Sequence, residues 1–434
     1  SDDGNLSAAG KKAAFGNRSF RRQGYRGDLC GKSARDEAAW GESDRSWGRG
    51  TFKAAGRAVW RRKRKADVSF TKPLKRKPVS IKIKNGFTDF EILRLKSSPQ
   101  RQTGGTMAAK TKTLGVLTSG GDAPGMNAAI RAVVRKAICN GVKVKGIKKG
   151  YQGLLNEEII DMDARSVSDT IQKGGTILGT ARCLEFKTEA GQKKGAEICR
   201  RHGIDGLVVI GGDGSYRGAQ AMSRLGINTI GLPGTIDLDI ACTEYTIGFD
   251  TAVNTAMQAI DKVRDTSSSH ERCSIIEVMG RNAGYIALWC GIASGAEDIL
   301  IPERFDGNRP KLENELIESI LEKKALGKKH HLIINAEGVG HSYGMAKRIE
   351  QATGVETRAS ILGHMQRGGN PTAKDRVYAS YMGALAVDLL CSGATNRVVG
   401  YRNGQYIDYD IEDALGMAKD VDQYEFEIAQ ILGR

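Results

Sequence analysis

From residue 114 onward, apolar runs of strand length alternate with stretches of helical pattern, and no other feature of the sequence limits its fold so strongly. Strands that pair in parallel need a crossover between them, usually a helix, so this alternation predicts a parallel α/β architecture. The run 114–118 reads as the first strand; a Gly-rich turn and a helix over 127–140 follow, and Gly141 supplies the stop. Further strands are expected at 206–210, 274–278, 298–301 and 332–335. Helices are expected at 216–224, 251–263, 283–294, 312–324 and 377–390. Residues 107–434 are too many for one compact core and predict two Rossmann-like lobes with mostly parallel sheets and a cleft between them.

The first 106 residues are different. They hold 26 of the 66 Lys and Arg but 10 of the 50 Asp and Glu, so the whole formal charge of +16 lies there and the remainder carries 40 of each. The main body is therefore neutral, and its function is not to be sought in electrostatic attraction to nucleic acid or membrane. Basic runs such as 61–65, with Trp40, Trp47 and Trp60, show no sustained period and read as a disordered or non-native basic extension. The chain opens on Ser1, Met107 stands just before the periodic pattern, and Gly104-Gly105 is encodable as GGAGG, so translated upstream sequence is the favoured reading. A nucleic-acid-binding arm with Trp side chains for stacking is the weaker one. Eight scattered cysteines without a Cys-x-x-Cys pair fit reduced thiols and a cytoplasmic location. No apolar run reaches membrane-spanning length.

Two Gly-rich turns each follow a strand and open a helix: Ser119-Gly120-Gly121-Asp122 and Gly211-Gly212-Asp213-Gly214-Ser215. Glycine lets the backbone approach a polyphosphate closely, and the N–H groups of the following helix point at the anion. One such turn is more often a tight connection, but two carrying Asp point to phosphate, with an Asp to hold Mg²⁺. Neither is a Walker A loop. A third loop, Pro233-Gly234-Thr235-Ile236-Asp237-Leu238-Asp239, offers a hydroxyl and two carboxylates directly after an apolar run, the place where α/β sheets bind ligands. Alone, Asp-x-Asp is a surface turn; here a base or metal role is the better reading. Downstream, Arg272, Met279-Gly280-Arg281, Glu337, Arg358 and His364 to Arg367 supply what a sugar phosphate needs: guanidinium forks for its phosphate, Glu or His for its hydroxyls.

Taken together, the segments 114–131, 206–215, 233–237, 276–281 and 362–369 resemble bacterial ATP-dependent 6-phosphofructokinase, over the chain from 114 to near its end. The resemblance implies a 107–248 plus about 366–416 ATP-binding lobe and a 249–365 plus about 417–434 sugar-phosphate-binding lobe. It implies ATP contacts at Gly121, Arg182, Cys183, Gly212, Asp213, Gly214 and Ser215, with Asp213 as the Mg²⁺ ligand. Asp237 matches the base that deprotonates the 1-hydroxyl of fructose 6-phosphate, with Thr235 and Asp239 beside it and Arg281 stabilising the transferring phosphoryl group. Met279, Gly280, Glu337 and His364 match sugar contacts, and Arg272, Arg358 and Arg367 the 6-phosphate clamp. In that family Arg272 and Arg358 come from a neighbouring subunit, which implies a homotetramer. Arg131, Arg135, Arg264, Glu297, Lys328 and His330 match an allosteric site for ADP or phosphoenolpyruvate.

Four positions depart from the family pattern: Leu238 replaces a usual Asn, Tyr285 a usual Asp, and Ala164 and Leu326 stand where basic residues are common. A pyrophosphate-dependent branch of the family carries Asp at the position of Gly214 and Lys at that of Gly234, so glycine at both favours ATP. Lipid and NAD kinases share the Gly-Gly-Asp-Gly turn but not the Asp237 loop or the His364 segment. Because the charge excess and the lack of period are confined upstream, a chain beginning at Met107 is expected to fold and turn over like the full chain. Loss of activity on that truncation, in a direct steady-state comparison, would refute this.

Overall fold

A computed structural model of the chain describes residues 111–433; the expectations for the basic leading segment lie outside them. Eleven strands follow in order: β1 (Thr113–Thr118), β2 (Lys143–Ile147), β3 (Ile159–Met162), β4 (Gly206–Gly211), β5 (Asn228–Pro233), β6 (Cys273–Val278), β7 (Asp298–Leu300), β8 (His331–Ala336), β9 (Thr357–Ile361), β10 (Arg397–Arg402) and β11 (Gln405–Asp410). Eleven α-helices lie among them: α1 (Met126–Cys139), α2 (Gly150–Leu155), α3 (Glu189–Arg201), α4 (Asp213–Arg224), α5 (Phe249–Ser269), α6 (Tyr285–Ser294), α7 (Arg309–Ala325), α8 (Ser342–Thr353), α9 (Ala373–Cys391), α10 (Ile411–Gly416) and α11 (Gln423–Leu432).

The strands form two sheets. The larger runs β11-β10-β5-β4-β1-β2-β3, parallel except at its two edges, and the smaller runs β7-β8-β6-β9, parallel throughout. In β4 and β8 every residue is buried, the mark of strands covered by helices on both faces. The chain leaves β1 towards β2 on one side and returns to place β4 on the other, so the order reverses between β1 and β4. Clefts at such switch points, outside the carboxyl ends of the strands, are where these sheets bind ligands. Among the described residues, no helix is long and apolar enough to cross a membrane.

Several boundaries differ from the expected ones, for physical reasons. Helix α4 starts at Asp213 rather than 216, so the Asp-Gly-Ser triplet read as loop is its first turn, where weak helix formers are tolerated. Helix α5 runs six residues past the expected 263 to Ser269, its serines held by burial of Ser267 and by the Ser269 hydroxyl donating to Asp265 O at 2.8 Å. Helix α6 starts two residues later than expected, at Tyr285.

Asp375, in the first turn of α9, is fully buried, and among the described residues no cation bonds to it. Its carboxylate accepts from Gly248 N at 2.7 Å, Thr251 N at 2.9 Å, Thr251 Oγ1 at 2.5 Å and Tyr245 Oη at 2.6 Å. It thus satisfies the open N–H groups at the start of α5 and sits at the positive end of that helix dipole. Helix α5 packs on β6 and α6 of the smaller sheet, while α9 packs on α1 and β5 of the larger. Asp375→Asn would set an amide NH₂ against these donors and is expected to cost about 2–4 kcal/mol, read as a lowered Tm in calorimetry. A change below about 1 kcal/mol would refute the role given to the carboxylate.

Candidate active site

Because β1, β4 and β5 are neighbours, the loops at their carboxyl ends meet. Ser119 N donates to Ile210 O at 2.9 Å, Ser215 Oγ donates to Ser119 O at 3.1 Å, and Gly234 N donates to Gly211 O at 3.0 Å. A Cβ on Gly211 would drive into Ser119 O and the Ser215 hydroxyl, so glycine is required for the first two loops to touch. Thr180 Oγ1 donates to Gly120 O at 2.7 Å and brings the segment with Arg182 and Cys183 alongside. At the start of α4, Gly212, Asp213 and Gly214 present N–H groups at the end of a helix, and a Cβ on Gly214 would meet nothing within 4 Å. Gly234 differs: a Cβ there would press on Ile210 Cγ2 at 2.9 Å and Met126 Cε at 3.0 Å. Its glycine is therefore needed for packing, a reason separate from room for a nucleotide.

The third loop places Thr235, Asp237 and Leu238 in the interior, with Asp239 half-buried. Asp237 N donates to Thr235 Oγ1 at 3.2 Å, and Asp237 Oδ1 is enclosed with no hydrogen-bond partner. Burial pushes the Asp237 carboxyl up, the charge of Asp239 adds to that, and Arg367, Thr235 and Arg281 oppose it. Burial likewise raises Asp239, with the Asp213 charge adding and Arg281 and Lys419 opposing. Asp213 is raised by burial against Arg217 and Arg281. Three carboxylates from the larger sheet thus share one field, and Arg281, which follows β6 of the smaller sheet, acts on all three.

The turn after β6 is held from below. Glu337 Oε1 accepts from Gly280 N at 3.2 Å and Arg281 N at 2.5 Å, and Gln366 Oε1 accepts from Met279 N at 2.8 Å. Arg281 sits at φ 60°, a left-handed conformation that this pair of acceptors sustains. One Glu337 oxygen is thereby occupied by backbone, leaving the other for a ligand. Arg367 reaches over Gly121, where a Cβ would lie 2.5 Å from Nη1, and donates to Asp122 O at 3.2 Å. His364 is exposed on the 3₁₀ turn Gly363–Arg367.

Two expected residues are not brought to this site. Arg272 lies just before β6, whose far end carries Met279, and a six-residue strand spans about 20 Å. Arg272 and Arg358 instead share Glu356, at 2.7 and 2.6 Å. Of the residues read as allosteric, Lys328 pairs with buried Glu297 at 2.6 Å and Arg264 donates to Gly295 O at 3.1 Å. Lys328 and His330 line a depression of about 490 Å³ that also holds Lys323, Lys324 and Lys329. Arg131 and Arg135 lie on α1, and among the described residues no hydrogen bond or ion pair joins them to that group.

Sequence reasoning missed Gln366 and Lys419. Lys419 Nζ donates to Leu238 O at 2.7 Å and Thr243 O at 3.2 Å and stands 4.8 Å from the centre of the Tyr285 ring. Burial pushes its ammonium down to about 8, against the pull of Asp239. Lys419, Asp239, Arg281, Tyr285 and Glu303 surround a cavity of about 280 Å³ beside the third loop. No motif marks Lys419, since its contacts lie about 180 positions away in the chain.

Comparisons with known proteins show the family of this chain. A family model described as Phosphofructokinase matches residues 113–390. A protein of Clostridium botulinum (strain Loch Maree / Type A3), "ATP-dependent 6-phosphofructokinase", is 60% identical over 323 residues, 74% of this chain and 100% of the relative. One of the same description from Clostridium novyi (strain NT) is 58% identical over 321 residues, 74% of this chain and 99% of that one. Among solved structures, phosphofructokinase from Saccharomyces cerevisiae superposes with a TM-score of 0.66 at 33% identity, covering 74% of this chain and 47% of that one, so this chain spans about half its length. A pyrophosphate-dependent phosphofructokinase from Marinobacter aquaeolei, at 23% identity and a TM-score of 0.64 over 72% of this chain and 86% of that one, shares the fold.

An Asp at 214 would extend into open space and bring a negative charge to the N-terminus of α4, where polyphosphate would sit. Gly214→Asp is expected to keep the wild-type Tm while weakening ATP binding at least about tenfold by calorimetric titration. Unchanged ATP affinity would mean that the nucleotide binds elsewhere.

Proposed function

The chain belongs to the phosphofructokinase family, and we propose that it transfers the γ-phosphate of ATP to the 1-hydroxyl of fructose 6-phosphate. The observation that carries the reading is Asp237: a buried carboxylate with an unpartnered oxygen, at the carboxyl end of β5, beside the helix N-terminus of α4 and within the field of Arg281. Its raised proton affinity suits a group that must accept a proton during the transfer. Asp237 takes the proton from the attacking hydroxyl, Arg281 neutralises charge gathering on the phosphoryl oxygens, and the first turn of α4 holds the nucleotide phosphates. No covalent intermediate is needed; positioning and charge stabilisation supply the rate. Thr235 and Asp239 shape the acceptor side, Met279, Gly280, Glu337 and His364 hold the sugar, and Arg367 holds its phosphate.

Mg²⁺ fits the donor set. The carboxylates of Asp213 and Asp239 are hard oxygen ligands close enough to act on each other, and among the described residues no cluster of three or more His, Cys, Asp or Glu would cage a metal alone. Mg²⁺ is commonly held in that way, by one or two carboxylates with phosphate oxygens and water completing the shell. When bound it would neutralise nucleotide phosphate charge, with Asp213 as the ligand we propose.

The position of Arg272 and Arg358 supports a homotetramer, since only a second copy can offer them to this cleft. Assembly is also how Arg131 and Arg135 would join Arg264, Glu297, Lys328 and His330 in an effector site for ADP or phosphoenolpyruvate. We propose the lobe division 107–248 with about 366–416, and 249–365 with about 417–434. Membership of the two sheets supports it, as does α11 packing on α6. A cytoplasmic location suits the seven free cysteines of the described residues.

A coupled assay with fructose 6-phosphate tests the reading: turnover is expected with ATP and not with pyrophosphate, and the opposite preference would overturn it. Asp237→Asn is expected to lower kcat by roughly 10² to 10⁴ with a near-native Tm. A kcat within about tenfold of wild type would assign Asp237 to turn structure instead. The acid limb of kcat is expected above the ordinary aspartate range, because protonation of the raised Asp237 removes the base as pH falls. Asp239→Asn removes a charge that raises Asp237, so the limb should move to lower pH.

A further inference from the structure

Between the two carboxylates of the third loop, the chain passes through a conformation that its residue disfavours. Leu238 has φ 55°, in the left-handed region where its Cβ crowds the following carbonyl oxygen. Leu is poorly suited to it, whereas Asn, which tolerates it, would adopt it more readily. The Leu238 side chain is 6% exposed and packs in the main core, which anchors one side of the peptide. The other side is its carbonyl, which accepts from Lys419 Nζ at 2.7 Å. The same ammonium donates to Thr243 O at 3.2 Å, so it ties the two ends of the loop together across five residues. Tyr285, 4.8 Å below, offers its ring face to the cation.

The segment carrying Lys419 is held independently of this contact. Arg304 donates to Val421 O at 2.9 Å and pairs with Asp420 at 3.4 Å, Val421 is buried, and Asp422 caps α11 through Glu425 N at 3.0 Å. The lysine is therefore presented to the loop from a fixed strap and can hold it.

We propose that Lys419 is a positioning residue for phosphoryl transfer: its ammonium holds the Leu238 peptide in the left-handed turn that aims Asp237 and Asp239 into the cleft. This rests on the reading of Asp237 as the base. A charge-assisted bond from a cation to one carbonyl offsets the backbone strain, and the direction of both carboxylates depends on that peptide's orientation. Nothing in the inference gives Lys419 contact with substrate.

The test is a double-mutant cycle on the full chain with ATP and fructose 6-phosphate. Lys419→Met is expected to lower kcat about 10- to 100-fold, the cost of a small misplacement of reacting groups, and to speed amide hydrogen exchange across 235–243. Both KM values should stay within about threefold of wild type. In a Leu238→Asn background, where the turn is tolerated without help, the loss on Lys419→Met should shrink to about threefold or less. Equal losses in the two backgrounds would make Lys419 a packing residue and overturn the proposal, as would wild-type kcat in Lys419→Met. Should the methionine variant not fold, Lys419→Gln, which keeps a donor without the charge, carries the same cycle. A wild-type chain lacking ATP-dependent phosphorylation of fructose 6-phosphate would remove the functional reading and this inference with it, whereas an active wild type with additive variants removes the inference alone.

Discussion

A buried carboxylate holds the two halves of this structure in relation to each other. Asp375 gathers four donors from the loop after β5 and the first turn of α5, and none of them is a cation. Burial alone raises the free energy of such a charge by several kcal/mol, and only a full set of donors makes it tolerable. Two of the donors are backbone N–H groups at the start of α5, open there by geometry, and two are the hydroxyls of Tyr245 and Thr251. Helix α5 packs on β6 of the smaller sheet and α9 on β5 of the larger, so this one group joins elements of both.

Two of the positive-φ residues line the cleft. Leu238 and Arg281 both stand at positive φ, one on each side, and each is supported by partners distant in sequence: Lys419 for the first, Glu337 and Gln366 near the second. Residues in sparsely populated backbone regions persist where the surroundings over-determine them, and such places are commonly functional. Tyr285 contributes in a way its family position does not suggest, as an aromatic floor under Lys419.

Charge sets the chemistry. Burial raises the proton affinity of Asp213, Asp237 and Asp239; the charge of Asp239 adds to the rise at Asp237 and that of Asp213 to the rise at Asp239, while Arg281 opposes all three, Arg367 opposes the rise at Asp237 and Lys419 that at Asp239. On the proposed reading these opposed influences bear on the base, Asp237, while Asp213 opens α4, a helix N-terminus that favours an anion. These groups meet because β4 and β5 are neighbouring strands whose carboxyl ends lie side by side.

The sequence by itself determined the elements whose signal is local. β1, β4, β6 and β8 are apolar runs long enough to be buried on both faces, and glycines and aspartates punctuate them, so both phosphate turns and the Asp237 loop were legible. The edge strands β3 and β11, the mixed β2 and the polar helix α3 were not, because a strand or helix half open to water keeps too little apolar period to stand out. Only the tertiary structure decided that Gly234 serves packing, that Arg272 and Arg358 pair with Glu356 at the far end of β6 and β9, and that Asp375, Gln366 and Lys419 reach the backbone of distant loops. Each of these acts through a contact more than 80 residues away or through the length of a strand. Nothing in the local chain encodes such a contact, since it exists only after β4, β5 and β6 have aligned their ends.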